Sequence, residues 1–252
     1  LDGARGVDVF TIGSSTYAIV AAWTDNGVQV IDISDVDNLV ATDSLGDNGS
    51  LALKVSRNVE TFTIDSSTYA IVTGHEDDGV QIINISDPYN ITATDAENDG
   101  VNGFTELSDV TDVATFTIGG STYAITVAEK LGGGEADGVQ IIDISDPTNI
   151  VAKDSMDDTD GSLELNGARH VDVFTIDSST YAIVASGVDD GVQIIDISDV
   201  DNIVAKDSMV DTDGSLELNG AWDVDTFTID SSTSTTTYAI VASYADDGVQ
   251  II

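Results

Sequence analysis

Carboxylates dominate the chemistry open to this chain: 46 Asp and Glu stand against 7 Lys and Arg. A carboxylate can ligate a hard cation, relay a proton or pair with a guanidinium. The densest groups lie between repeated segments. Asp95, Glu97, Asp99 and Glu106 fall in DAENDGVNGFTE, while Asp158, Asp160 and Glu164 share DTDGSLE with the later copy holding Asp211, Asp213 and Glu217. Calcium takes six to eight oxygens from such closely spaced groups, with Gly permitting a sharp turn. The first stretch nearly has EF-hand spacing, with Gly100 sixth and Glu106 twelfth, but Glu97 stands third and no helical pattern flanks it. It therefore reads as a looser calcium loop, the alternative being solvated acidic turns.

A second constellation is basic. The three arginines, Arg5, Arg57 and Arg169, occupy one repeat position, and each precedes an acid by three residues: Asp8, Glu60 and Asp172. The third copy has Thr111 and Ala114 instead, and the fifth has Trp222 with Asp225. Positions three apart on a regular strand face opposite ways. Each Arg is thus expected to meet an acid from a neighbouring blade or a nearby loop, forming a structural ion-pair ring near an axis; an anion site is the alternative.

Signals for catalysis are thin. His75 and His170, the only histidines, hold non-equivalent repeat positions, and Ser and Thr concentrate in turns and on strands. Paired carboxylates are so abundant that no hydrolase dyad stands out. Asn48, Asn84 and Asn90 begin N-x-Ser/Thr sequons, candidate glycosylation sites in a secreted chain.

These residues sit on a unit written five times, at about 4–46, 56–95, 110–154, 168–207 and 221–252 of a single 252-residue domain. TYAIV tyrosines recur at Tyr17, Tyr69, Tyr123, Tyr181 and Tyr238, and GVQIIDIS-like runs begin at Gly27, Gly79, Gly138, Gly191 and Gly248. Asn-Gly or Asp-Gly precedes each run, a dipeptide that tolerates the positive φ of tight hairpin turns. In the fourth copy this predicts strands over 169–176, 180–186, 192–198 and 203–208, with connections short enough only for antiparallel neighbours. The third strand carries Val192 and Ile194 on one face and Ile195 and Ile197 on the other. A small sheet that is apolar on both faces packs between similar sheets, so the fold class is all-β, a propeller of four-stranded antiparallel blades.

TYAIV, a short gap, GVQIIDISD, then PTN or VDN and a strand such as IVAKDS together resemble the LVIVD repeat of bacterial and archaeal surface proteins. The resemblance covers all five copies and implies a β-propeller in a secreted or envelope protein, with no catalytic motif to transfer. Val36 and Val200 stand where that repeat favours the Pro seen at Pro88 and Pro147.

A net charge of −39 disfavours nucleic acid and anionic membrane surfaces and favours surroundings rich in salt or divalent ions. There is no Cys, hence no disulfide or thiolate chemistry, and no apolar run is long enough for membrane insertion. Taken together, the sequence points to a non-catalytic extracellular element with a structural or adhesive role at the cell surface, its partners being cell-surface components or other copies of itself. A calcium-dependent module binding carbohydrate or protein is the alternative, and a secreted hydrolase using an acid-lined channel is the weaker one. Leu1-Asp2-Gly3-Ala4 aligns with Leu218-Asn219-Gly220-Ala221, and Ile252 is equivalent to Ile195, so copy five lacks a fourth strand. The expectation is a segment of a longer chain, or an edge completed end-to-end by another subunit in a head-to-tail filament.

Overall fold

The computed structural model describes residues 1–129, 137–160, 163–213, 216–230 and 235–252. Blade 1 contains β1 (Ala4–Ile12), β2 (Ser15–Ala22), β3 (Gly27–Asp32) and β4 (Val40–Gly46). Blade 2 contains β5 (Ser56–Ile64), β6 (Ser67–Gly74), β7 (Gly79–Asn84) and β8 (Thr92–Asn98). Blade 3 contains β9 (Val110–Ile118), β10 (Ser121–Ala128), β11 (Gly138–Asp143) and β12 (Val151–Asp157). Blade 4 contains β13 (Ala168–Ile176), β14 (Ser179–Ser186), β15 (Gly191–Asp196) and β16 (Val204–Val210). Blade 5 has three strands, β17 (Ala221–Asp230), β18 (Thr235–Ser243) and β19 (Gly248–Ile251). Strands pair in sequence order, all antiparallel, as in a propeller blade. The hairpin dipeptides do what their chemistry allows: Asn26, Asp78, Asp190 and Asp247 hold φ between 52° and 55°.

Blades 2, 3 and 4 bury both faces against their neighbours. Phe10, Tyr17, Ile19, Val28 and Val30 of blade 1 pack on Leu53, Val59, Val72 and Ile83 of blade 2, and equivalent clusters fill the interfaces of blades 2 and 3, 3 and 4, and 4 and 5. One Phe–Tyr pair stacks in every blade at 5.5–5.6 Å between centroids, from Phe10–Tyr17 to Phe227–Tyr238. Aspartates add polar clamps between blades. Asp43, Asp95 and Asp154 on three outer strands accept from the backbone N–H of Ile91, Ile150 and Ile203 in the following blade, at 2.7–2.8 Å.

The inner strands β1, β5, β9, β13 and β17 line the axis, and every one of them carries an extra residue near its start. Ala4 pairs with Ala22 but Val7 with Val20, Ala168 with Ser186 but His170 with Ala185, and Ala221 with Ser243 but Asp223 with Ala242. Such a bulge resets the two-residue alternation of side chains. The expectation that residues three apart face opposite ways is corrected at this point: the Arg position and the acid position three residues on both face the axis.

Candidate functional site

Because the five inner strands bulge alike, equivalent residues form layers along the axis. At one mouth stand Arg5, Arg57, Thr111, Arg169 and Trp222, and beneath them Gly6, Asn58, Asp112, His170 and Asp223, around a cavity of about 260 Å³. A second cavity of about 350 Å³ runs from that middle layer to an acid layer of Asp8, Glu60, Ala114, Asp172 and Asp225.

The mouth differs from the expected ring, in which the arginines and Asp8, Glu60 and Asp172 were to supply the ion pairs. Asp8 and Asp172 lie in the acid layer and clamp neighbouring strands: Asp8 accepts from the Thr61 N–H at 2.8 Å and the Thr61 hydroxyl at 2.5 Å, and Asp172 accepts from Thr226 in the same way, at 2.7 and 2.6 Å. Glu129, buried after β10, takes the acid's place at the mouth, pairing with Arg169 and lying 3.8 Å from Arg57. Arg5 and Arg57 lie over the Trp23 ring at 4.2 and 4.9 Å, and Arg169 over Trp222 at 4.1 Å. Burial pushes the Glu129 carboxyl up against the opposing pull of the Arg169 and Arg57 charges. Burial also lowers the Arg57 and His75 pKa values, and His75 Nε2 sits 3.1 Å from the Arg57 guanidinium. Sequence reasoning missed Glu129 because no other copy carries an acid there.

Glu129 is the counter-charge for two guanidiniums, so Glu129→Ala leaves a buried positive pair. It is expected to cost about 3 kcal/mol or more, read as a lower urea midpoint with an unchanged slope. A midpoint equal to wild type would show that solvent already screens the pair.

The middle layer is a polar network that the sequence reading overlooked, although it was findable one position after each Arg. Asn58 Nδ2 donates to Asp112, the Val171 N–H donates to Asp112 at 2.8 Å, and His170 Nε2 lies 3.4 Å from Asp112 and 3.1 Å from Asp223. Burial pushes the Asp112 carboxyl above the usual carboxylate range, against the His170 charge.

In the acid layer, Glu60 is the perturbed group. Its carboxyl is pushed up to about 8, first by burial and then by the charge of Asp8 and a hydrogen bond between the two side chains, with Asp112 adding to the effect. At neutral pH Glu60 therefore carries a proton inside a cavity whose far wall, on blades 4 and 5, presents Asp172 and Asp225. A neutral acid facing carboxylates is the arrangement that acid–base chemistry requires.

The loop acids expected to gather around calcium serve other partners. Asp95 clamps blade 3, Glu97 accepts from Asn102 at 3.0 Å, and Asp99 accepts from the Leu107 N–H at 3.0 Å. Asp160 and Asp213 accept from the N–H groups of Asp157 and Val210, and Asp211 from that of Leu218. Asp158 and Glu164 are pushed up by burial. The Glu106 and Glu217 side chains approach the hairpin glycines Gly138 and Gly248. Residues 161–162 and 214–215 of the two DTDG turns lie outside the described residues. Among the described residues no group of three or more His, Asp or Glu side chains converges to hold a metal ion. Of the sequons, Asn48 and Asn90 are exposed in turns and Asn84 is half-buried at the end of β7.

No protein-family model matches the sequence, and no curated protein matches it. Solved structures do share the fold. An α-L-arabinofuranosidase from Lactobacillus brevis aligns with 99% of this chain and 90% of its own at a TM-score of 0.57 and 9% identity. An exo-β-1,3-galactanase from Phanerochaete chrysosporium aligns with 99% of this chain at 0.56 and 11%, this chain spanning 60% of the galactanase's length. A functionally unknown protein from Desulfotomaculum acetoxidans aligns with 99% of this chain at 0.56 and 12%. At such identities the likeness establishes the propeller fold. It also corrects the expectation of a non-catalytic structural, adhesive or filament-forming element: glycoside hydrolases recur among the proteins that share this architecture, and this chain's axis holds a protonated carboxyl among carboxylates.

Proposed function

We propose that this protein is an extracellular hydrolase of glycosidic bonds, working in the acid-lined axial cavity. The observation that carries this reading is Glu60, neutral at physiological pH and set among Asp8, Asp172 and Asp225. Two further points support it: the glycoside hydrolases among the fold neighbours, and a strongly acidic, cysteine-free composition suited to a saline exterior.

Glycoside hydrolysis needs one carboxylic acid to protonate the departing oxygen and one carboxylate on the opposite side of the sugar. Glu60 donates its proton to the glycosidic oxygen as the bond from that oxygen to the anomeric carbon breaks. The cation-like sugar that develops faces Asp172 and Asp225, whose negative charge stabilises it. Water adds to the anomeric carbon and yields a proton to one of these carboxylates, and solvent returns a proton to Glu60. Asp225 is the more exposed of the two, whereas Asp172 is held by Thr226 and by the N–H of Val173. This makes Asp225 the proton acceptor and Asp172 the fixed charge. Burial, with the charge of Asp8 beside it, keeps the Glu60 acid protonated until substrate arrives.

The acid works only while protonated, so initial rates on an arabinan or galactan substrate are expected to fall as pH rises through about 8. A rate that stays level through pH 9 would remove Glu60 from this role.

A further inference from the structure

A guanidinium has five N–H donors and no acceptor, so an arginine cluster is satisfied only by the acceptors around it. At the axial mouth the protein supplies few. Arg169 Nη2 donates to Glu129, and Arg57 Nη2 approaches His75 Nε2 at 3.1 Å. Arg57 Nε is buried with no hydrogen-bond partner among the described residues. Glu129 lies 3.8 Å from Arg57, and Asp109 is drawn toward His75 at 3.5 Å. Burial lowers the Arg57 pKa, and the Arg5 and Arg169 charges add to the effect against the pull of Glu129. The carboxylates of the middle layer do not make up the deficit, because each is engaged in its own layer: Asp112 accepts from Asn58 and from the Val171 N–H, and Asp223 faces His170 at 3.1 Å.

The axis is therefore polarised, cationic at the Arg mouth and acidic at the layer of Asp8, Glu60, Asp172 and Asp225. Its two cavities share Asn58, Asp112, His170 and Asp223 as walls, so a chain entering at the mouth runs toward Glu60. Arg57 and Glu60 stand three residues apart on β5, roughly 10 Å at the rise of a strand.

Taking the hydrolytic reading of the acid layer as its premise, we infer that the mouth holds an oxyanion, the carboxylate or sulfate of an acidic sugar chain, while a neighbouring sugar is cleaved against Glu60. The planar guanidinium fork matches the oxygens of such groups. An anionic sugar placed at Glu60 would instead be repelled by Asp8, Asp172 and Asp225, so the polarity fixes which way the chain enters. The net charge of −39 repels a polyanion at long range, but salt screens that repulsion beyond about 10 Å at 0.1 M and leaves contacts inside the mouth intact.

The test reads binding apart from turnover, on the Glu60→Gln protein. Calorimetric titration compares a xylo-oligosaccharide bearing glucuronic acid with the same molecule after reduction of its carboxyl to the alcohol; a sulfated galacto-oligosaccharide and its desulfated form make the second arm. At least one acidic form is expected to bind about 10-fold or more tightly than its neutral partner, the worth of one charged hydrogen bond, and the arm that shows the preference tells carboxylate from sulfate. Arg5→Glu is expected to erase the preference, and Arg169→Gln to cut it about 10-fold. Arg5 is exposed and outside the Glu129 pairs, so its variant decides the matter even if Arg169→Gln fails to fold. Equal affinities within both arms, or a preference that survives Arg5→Glu in a folded protein, would overturn the inference. Wild-type protein that prefers the acidic forms yet cleaves no chain would uphold the anion site and remove the hydrolytic reading. Wild-type protein that cleaves neutral chains, with a Glu60→Gln form showing no preference, would remove the anion site alone.

Discussion

Glu60→Gln is expected to raise the stability of the protein at alkaline pH while abolishing the proposed hydrolytic activity. A carboxyl held up to about 8 in the fold, from an ordinary value of 4.5, binds more protons in the folded than in the unfolded chain between those two values. Stability contributed by this group therefore falls as pH rises from about 4.5 to about 8, and above that window the folded protein bears the whole cost of a partly buried charge. Gln keeps the neutral shape and can still donate to Asp8, so the variant escapes the cost. The gain at pH 9 is about 3 kcal/mol, allowing for solvent screening of a group that is not fully buried. In a chain of this size that is a rise in melting temperature of roughly 5–10 °C. At pH 4 both forms are neutral and the two proteins should melt together. The amide has no proton to give a leaving group, so turnover should drop by about 10²–10⁴-fold. A variant that melts below wild type at pH 9 would contradict the electrostatics; one that keeps full activity would contradict the mechanism.

The second large effect separates two valines that the sequence makes equivalent. Val59 is buried between blades 1 and 2, and Val7 occupies the same repeat position on the free face of blade 1. Val59→Asp places an unpaired charge in an apolar interface and is expected to cost on the order of 5 kcal/mol, enough to unfold a domain whose whole stability is about 5–15 kcal/mol. Val7→Asp should change stability by less than about 0.5 kcal/mol. Circular dichroism during thermal denaturation reads both. Equal losses from the two substitutions would mean that the leading face of blade 1 is packed in solution.

What the chain's residues announced and what they concealed follow from the same periodicity. Signals repeated in every copy were legible: the Asx-Gly hairpins, the TYAIV runs and the two-faced apolar third strand specify a blade, and five copies specify the array. The shared position of Arg5, Arg57 and Arg169 was equally visible, and the three line one cavity. The strand alternation assumed for it failed because the register slips at that position, between Ala168 and His170 in blade 4 and between Ala221 and Asp223 in blade 5, where Arg169 and Trp222 share no residue type that would announce a bulge. For the same reason the axial depth of Glu60 relative to Arg57 was hidden. Glu129 broke the repeat and so carried no periodic signal. The loop acids had a structural partner that spacing alone does not announce: Asp95 has the spacing of a cation ligand, and its place on β8 turns it toward the N–H of Ile150. Such clamps account for part of the aspartate excess, since a carboxylate that caps a neighbouring blade's backbone adds a charge-assisted hydrogen bond at each interface.

The axial cavity as a hydrolytic site is tested most directly by product release. Purified protein incubated near pH 6 with arabinan, xylan and β-1,3-galactan is expected to release reducing sugar from at least one of them, and the Glu60→Gln protein, folded and assayed beside it, to release none. Wild-type protein that liberates no sugar from any of the three, or a Glu60→Gln protein that liberates as much as wild type, would contradict the assignment.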